Sequence, residues 1–308
     1  MNADVHPALV GTRAVGLDIG GTKTHGVVLD DDGSVLAQVR LPTEPGAEGV
    51  VATAHAVFEA LRAETGLALD GRLGVGVPGL VDVGRGVLRH AVNLGVDGAD
   101  LPLRDLLAGR LGVPVAVEND VNAAALAASA LTGADDVVYL SLGTGLAAGL
   151  VLDGRLRRGP HGAAGEIGHV PVDPAGEVCG CGQRGCLETF ASGRALARAW
   201  PTTRGFPSTA LFSAAEAGDE KAVAVRDRYC WGVASAVRVL GLTIDPERIV
   251  VGGGVAEVGE PLRRGVVDQL ARLGEGSPFL ASLELGERLV MVPPGFPVSA
   301  VGAAIRAR

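Results

Sequence analysis

The stretch Val15-Gly-Leu-Asp-Ile-Gly-Gly-Thr-Lys-Thr-His-Gly-Val-Val-Leu29 reads as a strand, a tight glycine turn and a second strand. The turn Asp30-Asp31-Asp32-Gly33 and the run Val35 to Val39 extend it to a further hairpin. Gly20 and Gly21 let the backbone approach a ligand closely, and Thr22 and Lys23 offer a hydroxyl and a cation to phosphate oxygens. Asp18, at the end of the first strand, is placed to hold a hydrated magnesium ion. By itself such a turn is more often a plain hairpin, and no Gly-x4-Gly-Lys-Ser/Thr loop accompanies it.

Further along, the pattern returns. Val137 to Leu142 is a strand, Gly143-Thr144-Gly145 a turn and Leu146 to Leu152 a strand, and the loop Gly252-Gly253-Gly254 follows a strand over Arg248 to Val251. The echo predicts two related halves with ligand phosphates held by the two turns. Between them, apolar residues from Val50 to Leu61 fall at helical spacing, Leu73 to Val77 is a buried strand stopped by Pro78-Gly79, and Leu103 to Leu111 is a helix closed by Gly112. Helices are also expected over Asp219 to Leu242, Val258 to Leu270 and Val298 to Arg306. Strands alternating with helices give sheets covered by helices, so the expected class is α/β, with a ligand cleft between two lobes. The boundary is expected after Glu118, giving a small lobe over 1–118 and a large lobe over 119–297, with the helix 298–308 returning to the first.

Glu118-Asn119-Asp120 lies between the strand Val113 to Val117 and an alanine-rich helix. Asp120 has two readings: a helix N-cap that accepts free backbone N–H groups, or a general base that takes a proton from an attacking hydroxyl while Asn119 fixes the substrate. Strand ends that open helices are also where α/β proteins bind ligands.

Within Gly165 to Glu188 stand Gly-Glu-Ile-Gly-His169 and Cys179-x-Cys181-x4-Cys186, followed by Leu187-Glu188. One His and three Cys close a tetrahedral zinc site with no open position, which marks a structural metal. His169 can ligate through one ring nitrogen and orient a ligand hydroxyl with the other, and Glu166 and Glu188 flank the metal loop at a pocket for a polar ligand. The remaining Cys230 falls in a helical pattern and reads as a small core residue.

Composition narrows the partners. The 308 residues are 47% hydrophobic and 20% charged, with a net charge of -8 and only two lysines, Lys23 and Lys221, so neither a nucleic-acid nor a membrane-surface footprint is expected. No apolar run reaches the length of a membrane-spanning helix, and no secretory leader precedes the first strand. With three cysteines in one eight-residue window, a reducing cytoplasm is expected.

Together the motifs resemble the ROK family of repressors, open reading frames and kinases. They are Asp18-Ile-Gly-Gly-Thr-Lys23, Pro78-Gly-Leu-Val-Asp82, Glu118-Asn-Asp-Val-Asn-Ala-Ala-Ala125, Gly143-Thr-Gly145, Gly165-Glu-Ile-Gly-His169, Cys179-Gly-Cys-Gly-Gln-Arg-Gly-Cys-Leu-Glu188 and Gly252-Gly-Gly254. The resemblance spans nearly the whole chain and implies the actin/hexokinase-like, ribonuclease H-like ATPase fold. It implies Asp120 as catalytic base, with Asn93, Asn119, Glu166, His169 and Glu188 on the sugar hydroxyls. The zinc ligands would be His169, Cys179, Cys181 and Cys186. Gly20 to Lys23 and Gly143 to Gly145 would grip the ATP phosphates, with Gly253 and Gly254 beside the adenosine.

The implied reaction is ATP- and Mg²⁺-dependent phosphorylation of a hexose 6-hydroxyl, with glucose first among the sugars. N-acetylglucosamine, N-acetylmannosamine, mannose or fructose are the alternatives, and polyphosphate is an alternative donor. A sugar-responsive regulator needs an added DNA-binding module, for which the fourteen residues before Val15 are too few. The resemblance also implies a homodimer or homotetramer. Ala147-Ala148 in place of a frequent Gly-Gly, Val92 in place of a frequent Pro, and a compact stretch from Trp200 to Phe212 depart from the family pattern.

Overall fold

The computed structural model describes residues 13–89, 91–96, 100–203 and 205–308. By its internal contacts the chain forms two units. The first holds residues up to Asp135, the segment Gly149–Ala164 and the terminal Pro297–Arg308; the second holds Asp136–Ala148 and Gly165–Phe296. The expected division after Glu118 therefore differs from this one, because the helix that follows Glu118 packs with the first unit's sheet and terminal helix.

In the first unit the elements are β1 (Ala14–Ile19), β2 (Lys23–Leu29), β3 (Val35–Pro42), α1 (Gly46–Thr65), β4 (Leu73–Val77), a small hairpin of β5 (Leu80–Asp82) and β6 (Val87–Arg89), α2 (Leu103–Leu111), β7 (Val115–Asn119) and α3 (Asp120–Thr132). The sheet order is β3-β2-β1-β4-β7, antiparallel from β3 to β1 and parallel onward. One face carries Leu17, Val75 and Val117 into a core with Val50, Val57, Phe58 and Leu61 of α1 and Leu103 and Leu107 of α2. Burying each such side chain contributes about 1.5–3 kcal/mol.

On the opposite face glycine replaces bulk. A Cβ at Gly16 would stand 2.0 Å from the Ala300 carbonyl oxygen, and one at Gly74 would stand 1.7 Å from that of Ala303, so the last helix lies directly on the sheet backbone.

The second sheet runs β10-β9-β8-β11-β12, formed by β8 (Val137–Leu142), β9 (Leu146–Leu152), β10 (Arg155–Arg157), β11 (Arg248–Gly252) and β12 (Leu289–Met291). Its order repeats that of the first sheet, two consecutive outer strands, the leading strand and then two parallel ones. The helices are α4 (Glu188–Ala191), α5 (Gly193–Ala199), α6 (Pro207–Glu216), α7 (Glu220–Ile244), α8 (Glu260–Gly274), α9 (Pro278–Ser282) and α10 (Val298–Ala307), the last belonging to the first unit. Asp219 caps α7 by accepting the Ala222 N–H, and Cys230 is buried within that helix. Trp200 to Phe212 includes the start of α6. Among the described residues no helix is long and apolar enough to cross a membrane.

Candidate active site

In the first unit the expected residues gather at the carboxyl ends of β1, β4 and β7. Asp18 is opposite His25 of β2 and beside Gly76 of β4, and Gly76 in turn is beside Glu118 of β7. This cross-strand row puts Asp18, His25, Gly76 and Glu118 on one sheet face. Gly76 has no side chain to fill the space between them, and a Cβ there would meet the Asp120 α-carbon at 3.5 Å.

The turn after β1 is closed by the Gly20 N–H donating to the Lys23 carbonyl at 3.0 Å. Thr22 and Lys23 are exposed. Asn93, on a short helical turn at Val92–Leu94, lies against the same turn, since a Cβ on Gly21 would come within 2.5 Å of its carbonyl oxygen.

Asn119, not Asp120, is the N-cap of α3. Its Oδ1 accepts from the N–H groups of Val121 at 2.9 Å and Asn122 at 3.1 Å, while its Nδ2 donates to the Gly79 carbonyl at 3.2 Å. Asp120 is the first helical residue, and its Oδ1 accepts only the Val121 N–H among the hydrogen bonds described for that side chain. With the cap supplied by its neighbour, the Asp120 carboxylate is available for chemistry.

Burial raises the Asp120 pKa, with the Val121 N–H acting in the opposite direction. Asp18 is pushed up to about 7, first by burial and then by the charge of Asp120, while Lys23 and Arg40 oppose the shift. A carboxylate whose proton is held by burial and by a neighbouring carboxylate's charge is a candidate functional group.

Glu118 is a buried carboxylate in an ion network that sequence reading did not assign, its arginine partners being half-buried. Its side chain, 1% exposed, pairs with the Arg158 guanidinium and lies 3.6 Å from Arg306 Nε, while Asn122 Nδ2 donates to it at 3.3 Å and the Asn119 N–H at 3.1 Å. A carboxylate closing an otherwise apolar strand was the available signal; its arginine partners come from distant parts of the chain.

In the second unit, His169 Nδ1 is 3.8 Å from Cys179 Sγ, and the Cys181 and Cys186 sulfurs are 3.7 Å apart. All four donor atoms lie within 4.8 Å of one another. A tetrahedral zinc with Zn–S of about 2.3 Å requires sulfurs about 3.8 Å apart, so the donor set and its spacing fit that ion. Hydrogen bonds from Gln183 hold the Cys181 thiol down to about 6, and burial pushes Cys186 up to about 12. The outer ring nitrogen, Nε2 of His169, faces Glu166 Oε2 at 3.8 Å.

Glu188 begins α4 directly after the metal loop, and its Oε2 accepts the Leu146 N–H at 3.1 Å beside the Gly143-Thr144-Gly145 turn. Gly253, in the left-handed region at φ +90, packs on Leu142, the residue before that turn, and Gly254 next to it is exposed. The expected site residues thus fall into two groups, Asp18, Gly20 to Lys23, Asn93, Asn119 and Asp120 on the first unit and the remainder on the second.

The family model of the ROK family matches residues 14–280, and the chain belongs to that family. A glucokinase of Thermotoga maritima is 36% identical over 284 residues, covering 84% of this chain and 88% of that protein. An N-acetylmannosamine kinase of Citrobacter koseri is 36% identical over 244 residues, covering 78% and 82%. Among solved structures, a ROK family glucokinase of Streptomyces griseus in complex with glucose and AMPPNP superposes with a TM-score of 0.78 at 33% identity, covering 95% of this chain and 98% of that one.

Proposed function

We propose that the chain is an ATP-dependent hexose kinase that transfers the γ-phosphoryl group of ATP to the 6-hydroxyl of glucose. The observation that carries this reading is the division of labour at Asn119-Asp120: Asn119 caps α3, which supports the base role for the half-buried Asp120 carboxylate. The sugar oxygen attacks the γ-phosphorus, the bond to the β,γ-bridging oxygen breaks, and the hydroxyl proton passes to Asp120. Burial raises the Asp120 pKa, which makes the carboxylate a stronger base toward the hydroxyl proton.

Because phosphoryl transfer demands mainly positioning and electrostatics, the other residues serve as holders. Lys23, Thr22 and the glycines of both turns meet phosphate oxygens. Asn93, Asn119, Glu166, His169 and Glu188 meet the sugar. Bound Mg²⁺ would neutralise phosphate charge, and Asp18 is the residue that would hold its water shell. Zinc on His169, Cys179, Cys181 and Cys186 would fix the loop that carries Glu166 and Glu188.

The glucokinase relatives support glucose, and the Citrobacter koseri relative supports N-acetylmannosamine as the second reading. A coupled ADP-release assay over hexoses and N-acetylhexosamines decides between them. Glucose is expected to give the highest kcat/KM, preference for an N-acetyl sugar would establish the second reading, and no turnover of any sugar would overturn both. Asp120→Ala is expected to lose roughly 10²- to 10⁴-fold in kcat while retaining sugar binding, and near-full activity would remove Asp120 from the mechanism.

A further inference from the structure

The Gly143-Thr144-Gly145 turn is held by its carbonyls. The Leu142 carbonyl accepts from the Val255 N–H at 3.0 Å, the Gly143 carbonyl from the Gly193 N–H at 2.8 Å and the Thr144 carbonyl from the Arg194 N–H at 3.2 Å. In a trans peptide the carbonyl of one residue and the N–H of the next point in opposite directions. Fixing those three carbonyls toward α5 and the Gly253 loop therefore turns the N–H groups of Gly143, Thr144 and Gly145 the other way. Successive N–H groups on one side form an anion-binding concavity.

The following residues are braced as well. Glu188 Oε2 takes the Leu146 N–H, and a Cβ on Gly145 would stand 2.6 Å from that oxygen. Ala148 donates its N–H to the Gly165 carbonyl at 2.7 Å, and a Cβ on Gly168 would lie 2.2 Å from the Leu146 carbonyl oxygen. Two of the contacting stretches adjoin residues of the cysteine–histidine cluster: Gly165 and Gly168 precede His169, and Glu188 to Arg194 follow Cys186.

We propose that Glu188–Arg194 is a clamp that orients the N–H groups of the Gly143-Thr144-Gly145 turn toward nucleotide phosphate, with Glu188 and Gly193 as positioning residues. Glu188 then serves the phosphate turn through Oε2 in addition to any sugar contact. The proposal rests on the kinase reading above.

Gly193→Ala tests it, because the added Cβ would come 2.7 Å from the Gly143 carbonyl oxygen and displace the turn. ADP binding by calorimetry on the full chain is expected to weaken about tenfold or more, with the KM for ATP rising and that for sugar staying within about twofold. Unchanged ADP affinity, or an equal loss for sugar and nucleotide, would overturn the clamp. Wild-type protein that binds no ADP would instead bring down the kinase reading itself.

Should Gly193→Ala fail to fold, Glu188→Ala and Glu188→Gln decide. Gln still presents an oxygen to the Leu146 N–H, so ADP affinity is expected to fall in the alanine variant and return to within about threefold of wild type in the glutamine variant. Equal ADP affinity in the alanine variant and wild type would exclude the role of Glu188.

Discussion

Asp18 and Glu118 share a sheet face of the first unit but differ in their compensation. Asp18 retains its proton up to about 7 in the folded chain, whereas in the unfolded chain it loses it near 3.8. The folded state therefore binds more protons between those values, and the contribution of this group to stability falls as pH rises through that window and levels off above it. In the absence of magnesium and nucleotide, Asp18→Asn is expected to be more stable than wild type at pH 8, by about 2–4 kcal/mol, and to show no gain at pH 4. Urea titrations at the two pH values check it; a gain of equal size at both would refute the assignment. Glu118, by contrast, is matched by two arginines. Removing it takes the carboxylate from the Arg158 and Arg306 guanidiniums, which are each about a third exposed and keep access to water, so Glu118→Ala is expected to cost about 1–3 kcal/mol in chemical denaturation.

At the scale of elements, α10 is set by absent side chains. It lies on β1 and β4 through Gly16 and Gly74 and on α3 through Gly302, where a Cβ would stand 1.7 Å from the Ala123 carbonyl oxygen. Gly74→Ala is expected to destabilise by about 3 kcal/mol, because the clash is with backbone that cannot rotate away. Gly109, inside α2 with nothing within 4 Å of its would-be Cβ, should behave oppositely, and Gly109→Ala is expected to gain about 0.5–1 kcal/mol. Parallel thermal and urea unfolding of the two variants tests both signs. The α10 span was legible from its apolar spacing. Its landing place on glycines of β1 and β4 was not, because a glycine in a strand announces only that something approaches closely, without saying what.

For the molecule as a whole, the proposed zinc would make the order of the cysteine–histidine loop depend on a bound ion. Chelation that strips metal from the protein is expected to lower Tm by several degrees and to release close to one zinc per chain, since the four donors then lose the ion that would tie His169 to the cysteine loop. Elemental analysis paired with thermal scans checks this, and a metal-free protein with an unchanged Tm would exclude a structural ion.

The sequence by itself determined what is encoded locally. The two strand–turn–strand units, the ligand spacing from His169 to Cys186, and most helices were readable, since alternation, helical periodicity and short-range spacing are properties of neighbouring residues. Even within the Asn119-Asp120 pair, the cap reading offered for Asp120 falls instead to Asn119, because backbone placement, which the sequence does not record, sets which residue precedes the helix. The unit boundary, the meeting of Glu118 with Arg158 across 40 residues and with Arg306, and the meeting of Glu188 with the Leu146 N–H across 42 residues were decided only by the tertiary structure. Those partners are brought together by sheet order and helix packing, and no local pattern records which distant group a buried carboxylate or a turn carbonyl will meet.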